Sequence, residues 1–262
     1  MKQSVATFTS VLLLTSSFAH AGAVMDMVTL DAAGQETGRT KIYGQSEMIR
    51  MDDGDTTIVF LGNELLFIDH DDRSYIVMDE AMLDKVSAQV SDAMKEMEAQ
   101  LANMPPEQRA MVEQMMKGRM QGMTGQQNAP SKGPRVESQG SGKWQSFACR
   151  KFAVYQGAVK TQDICAAELD EIDGADEVMQ AFRDMAEYMT KMTESLPMRP
   201  NDQMNPGELM DQIGGFPVHT IDYANGVVVG QSALDSVSQQ DLEPDLFAVP
   251  EGYSRQDPFG GR

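Results

Sequence analysis

The 262-residue chain carries 40 acidic and 21 basic residues, a formal net charge of −19 at pH 7. A surface this acidic repels nucleic-acid phosphates and anionic headgroups, which argues against a nucleic-acid partner and leaves cations or a basic protein. No stretch beyond the N-terminus is apolar enough for a membrane span.

The first 21 residues read as a secretory leader. Lys2 supplies a positive charge, an apolar run centres on Val11, Leu12, Leu13 and Leu14, and Ala19-His20-Ala21 gives an A-x-A cleavage pattern before Gly22. The expected mature product is an exported, soluble chain, most simply periplasmic, with cleavage near Ala21. Residues 22–262 are then long enough for one large domain or two small ones.

Residues 23–78 alternate as a meander of six strands: AVMDMVTL, TGRTKIYG, SEMIRMDD, DTTIVFLG, ELLFIDH and RSYIVMD. Gly, Asn and Asp at the divisions are what hairpin turns require. The period then changes. Leu83, Val86, Val90, Met94, Met97 and Leu101 recur three or four apart and predict an amphipathic helix. Pro105-Pro106 ends it and starts a second helix, MPPEQRAMVEQMM, with Met111 and Met115 on one face. The Gly-, Gln-, Ser- and Pro-rich stretch from Met123 to Lys143 predicts a flexible loop.

Cys149 and Cys165 are equidistant from Gly157. A hairpin turning at Gln156-Gly157 would place them opposite each other, close enough to bridge. In an oxidising compartment this predicts a structural disulfide, worth about 3 kcal/mol in the chain-entropy model. A third stripe, Val178, Phe182, Met185, Met189, Met192 and Leu196, predicts a helix ending at Pro197, and MRPNDQMNPGE reads as irregular. Asn225-Gly226 marks a type I′ turn in a second hairpin. DLFAVPEGY reads as a short edge segment. Strands, helices, hairpin, helix and hairpin in that order predict a single α+β domain with an antiparallel sheet.

Five methionines fall between Pro105 and Met123. Thioethers suit Cu(I), but one helix face brings only about two sulfurs to a favourable distance. Helical spacing fits packing, or a plastic lining for an apolar ligand. The candidate lining is Met94, Met97, Met111, Met115, Phe182, Met185 and Met189, with no metal or cofactor expected. The acidic turns Asp52–Asp55 and Asp69–Arg73 match no EF-hand and have the composition of hairpin turns. His219, on a strand with Ile221 and Tyr223, reads as structural. The chain lacks a G-x-S-x-G elbow, H-E-x-x-H, a phosphate-binding loop and a dinucleotide fingerprint, so no enzyme is expected.

The pieces KIYGQSEMIRMD, RSYIVMDE, MPPEQRAMVEQMM, FACRKFAVY, GFPVHT and LFAVPEGY, in this order, resemble an exported bacterial family, domain of unknown function 4412. That family resembles the lipoprotein-carrier half-barrels of the LolA and LolB kind. The resemblance implies a curved antiparallel sheet with the three main helices on its concave face. The function expected first is periplasmic binding of an apolar or acyl-chain ligand without catalysis. The alternative is an envelope or stress-related module that binds a basic protein and no small ligand. Methionine-held copper comes third.

Overall fold

The computed structural model describes residues 22–105, 108, 134–194 and 206–257. Six strands open the fold: β1 Gly22–Leu30, β2 Glu36–Gln45, β3 Met48–Asp52, β4 Thr56–Phe60, β5 Leu65–Asp69 and β6 Ser74–Met78. Helix α1 is Glu80–Ala102. Then come β7 Arg135–Trp144, β8 Phe147–Gln156 and β9 Val159–Ala167. Helices α2 Ala175–Glu194 and α3 Pro206–Ile213 follow. Strands β10 Phe216–Ala224, β11 Val227–Gln240 and β12 Ser254–Arg255 end the chain. All twelve join one open, curved sheet in the order β12-β6-β5-β4-β3-β2-β1-β11-β10-β9-β8-β7. Every pair is antiparallel except β12 on β6. The α+β expectation stands at this level.

The meander forms because its period-two pattern divides apolar side chains between two faces. Ala23, Met25, Ile49, Phe60 and Leu65 join α2 in the main core. Val24, Val59, Leu66 and Ile68 pack instead against Leu242 and Phe247 of the C-terminal segment. Helix α2 lies so close that a Cβ on Gly44 would stand 2.6 Å from Val178 Cγ2.

The C-terminal segment is held by a polar chain. Arg50 Nη1 donates to the Leu246 carbonyl at 2.9 Å, and Arg50 Nη2 pairs with Asp52 at 2.8 Å. His70 meets Thr57 Oγ1 at 2.8 Å and the Tyr253 hydroxyl at 2.7 Å. Thr57 is fully buried. The edge segment expected at DLFAVPEGY is a 3-10 turn, Pro244–Phe247, and the edge strand falls just beyond it at β12.

Several other expectations are corrected. Residues 135–143 of the predicted loop form most of β7, paired with β8 through a two-residue turn at Gln145-Ser146. Backbone pairing overrides the linker-like composition, and Gly140 takes φ +89 beside the β7 bulge. Residues 123–133 lie outside the described part, as do the leader, Leu196, and Met111 and Met115 of the predicted second helix. Residues 206–208, expected to be irregular, begin α3, with Pro206 in the first turn, where its missing N–H costs nothing. Helix α1 approaches the sheet at β6. Leu83, Val86 and Val90 are half-buried, but Met94 and Met97 are exposed, so its stripe is only partly covered. Among the described residues, no helix is long and apolar enough to cross a membrane.

The disulfide is present, with Cα atoms 5.4 Å apart, but the cysteines are not directly opposite. The turn falls at Gly157-Ala158, with Gly157 at φ +62, and a bulge between Val154 and Tyr155 shifts the register again. Cys165 therefore stands opposite Lys151, and the bridge runs diagonally to Cys149.

Candidate ligand-binding cleft

Helix α3 places Leu209 and Ile213 against Phe152, Val154, Ile164 and Ala166. The residues that alternate with these along β8 and β9 point to the other face. Register assembles them into cross-strand rows. Lys151, Cys165 and His219 form one row, and Ala153, Asp163 and Ile221 the next but one. Together with Trp144 and Tyr155 they border a cleft of about 500 Å³.

Trp144 and His219 form one wall. Their rings stack with centroids 3.7 Å apart and planes 9° from parallel. His219 Nε2 lies 3.0 Å from Gln231 Oε1, while the Gln231 amide nitrogen donates to the Asp31 carbonyl at 3.4 Å. With the amide nitrogen turned to Asp31, Oε1 accepts, so Nε2 carries the proton and donates. Burial lowers the His219 pKa below the usual imidazole value, and the bond to Gln231 opposes this only in part. The lowered value favours the neutral ring at pH 7. The Trp144 indole N–H is buried and has no acceptor.

The other side is polar. Lys160 Nζ lies 2.5 Å from Asp163 Oδ2, and the Tyr223 hydroxyl donates to the same oxygen at 2.7 Å. Lys160 also sits 4.5 Å above the Tyr223 ring. The hydrogen bond to Asp163 leads the causes that raise the Lys160 pKa. The same carboxylate raises that of Tyr223, first through its hydrogen bond. These groups satisfy one another. Lys143 and Lys151 also border the cleft. Arg135 covers the Tyr155 ring at 4.3 Å and pairs with Glu137.

The expected methionine lining is not gathered here. Phe182, Met185 and Met189 pack on the main core. None of them, nor Met94 or Met97, borders this cleft or two smaller ones. The acidic turns close on themselves: Asp53 accepts from the Thr56 amide at 2.8 Å and Asp69 from the Asp72 amide at 2.9 Å. Among the described residues, no group of three His, Cys, Asp or Glu is placed to hold a metal ion. Sequence reasoning missed Trp144, Lys151 and Asp163. Two signals pointed there: Trp144 is the sole tryptophan, and residues 134–152 hold Arg135, Lys143, Arg150 and Lys151 against Glu137 alone, in a chain of charge −19.

No family model matches the chain, and no curated protein matches it. Solved structures similar to it include an uncharacterised conserved protein from Thermus thermophilus, 6% identical, with a TM-score of 0.46 over 90% of both chains. PNGF-II is 7% identical, with a TM-score of 0.39 over 91% of this chain and 31% of its own. Neither likeness bears on function.

Proposed function

We propose that this chain is a non-enzymatic binding protein of the bacterial periplasm, exported with loss of its leader near Ala21, and that it holds an apolar or acyl-chain ligand. The observation that carries the reading is the cleft beside Trp144. Its volume of about 500 Å³ lies within the range of small-ligand sites, and its walls combine rings and aliphatic side chains with a few fixed polar groups. It is built on paired strands and anchored by the disulfide, so its shape is largely preformed. The resemblance to the half-barrel carriers supports the same ligand class, although the cleft stands apart from the methionine faces first considered.

Native mass spectrometry of protein purified from periplasm without detergent tests this reading. A lipid-sized adduct, lost on organic extraction, is the expected result. The bare polypeptide mass, together with an unchanged Trp144 emission on adding any acyl chain, would count against it.

A second reading is favoured by the exposed Met94 and Met97 on the distal half of α1, which suit a protein partner. Cross-linking from this helix in cells should then capture one defined protein.

A further inference from the structure

Resting on that reading, we infer that the ligand is an amphipathic anion, its oxyanion head held at Lys151 and its apolar body against the Trp144–His219 wall.

The polar groups around the cleft are mismatched in one direction. Its basic lining comprises Lys143, Lys151, Lys160 and His219 against a single carboxylate, Asp163. That carboxylate is already engaged by Lys160 and Tyr223. His219 donates to Gln231, and its lowered pKa favours the neutral ring. Among the described residues, neither Lys143 nor Lys151 has an ion-pair partner, and the Trp144 N–H has no acceptor. What remains is two cations with no anion to receive them.

This occurs in a chain with 40 acidic residues, where a random pocket would carry the opposite sign. Lys151 is also given room. It shares a row with Cys165 and His219, and a Cβ on Gly142 would collide with its Cε. The glycine leaves the lysine stem free to lie across β7. A carboxylate or phosphate is the acceptor such donors recognise. The adjoining rings and Ile221 take an alkyl body.

Because Trp144 is the sole tryptophan, its fluorescence reports the site directly. Native protein and Lys151→Met should be titrated with laurate and with dodecanol, an uncharged chain of the same length. Both proteins should also be mixed with vesicles of phosphatidylcholine alone and with added phosphatidylglycerol. Lys151 is exposed, so the variant should fold, which circular dichroism would verify.

Laurate binding about tenfold tighter than dodecanol, with most of that preference lost in Lys151→Met, supports the inference with a free acid as the source. A response to phosphatidylglycerol vesicles alone, lost in the variant, supports it with a lipid headgroup as the source. Equal affinity for laurate and dodecanol overturns the anionic head while leaving an apolar-ligand protein intact. A preference for laurate that Lys151→Met does not alter overturns the assignment to Lys151. Silence toward every probe overturns both this inference and the function on which it rests.

Discussion

Trp144 lies flat on His219, and the face-to-face contact joins the end of β7 to the middle of β10. The two residues are 75 positions apart in the chain. Only the pairing of β7, β8, β9 and β10 brings them together. The stack buries the imidazole ring against the indole, and protonation would put a charge into a site that already disfavours it.

The pH dependence of stability follows. Burial holds the folded-state pKa of His219 below its ordinary value of 6.5. As pH falls, the unfolded chain therefore takes up this proton first. The contribution of neutral His219 is full above pH 6.5 and is lost as pH falls through the lowered folded value. His219→Gln should cost stability at pH 7.5, and the gap between the two proteins should narrow below pH 6.5. Urea unfolding across that range checks this, since carboxylate protonation affects both proteins alike. A gap constant with pH would refute it.

The meander was legible because each strand carries its own signals: period-two apolar residues and a Gly, Asn or Asp at the turn. Asn225-Gly226 behaves in the same local way, with φ values of +52 and +78. The partial cover of α1 was not legible. Its stripe and that of α2 have the same period, yet Val178 is buried and Met94 exposed. Periodicity defines a face but does not say what packs on it. β7 was hidden because Gly140 and Gly142 stand where the bulge and Lys151 need space, so it has the composition of a linker. The cleft was hidden for a related reason. Lys151, Cys165 and His219 share a row only through bulges at Val154/Tyr155 and near Val218, and no spacing rule locates bulges in advance.

The closeness of α2 to the sheet makes Gly44 a sensitive position. A Cβ there would stand 2.6 Å from Val178 Cγ2 and 3.3 Å from Val178 Cα. Val178 is fully buried, so it has little room to yield. Gly44→Ala should destabilise the fold by about 1–3 kcal/mol, with α2 displaced outward. Thermal unfolding of this variant beside Gly38→Ala is the measurement. The control position has nothing nearer than 3.9 Å, and equal midpoints would contradict the close approach.

The contact between His70 and Tyr253 should govern the C-terminal segment. Tyr253→Phe keeps the ring against the His70 imidazole and removes the 2.7 Å hydrogen bond. The expected loss is about 1 kcal/mol. It should be felt locally, because the Ser254 and Gln256 amides bond to the carbonyls of Arg73 and Tyr75 at the sheet edge. Hydrogen exchange at those two amides should accelerate more than exchange in β8. Uniform acceleration throughout the sheet would show that the hydroxyl has no particular hold on the segment.

The disulfide ties the stability of the β8–β9 hairpin to the shape of the cleft. Cys149 and Cys165 are 16 residues apart, so their bridge closes a short loop worth about 3 kcal/mol in the chain-entropy model. Cys165 also stands between Lys151 and His219 in one cross-strand row. Replacing both cysteines by serine should therefore lower the denaturation midpoint. It should also shift Trp144 emission in protein that is still folded, as the row relaxes and the stack on His219 loosens. A lower midpoint with unchanged native emission would separate the two effects. The bridge would then stabilise the hairpin without shaping the site.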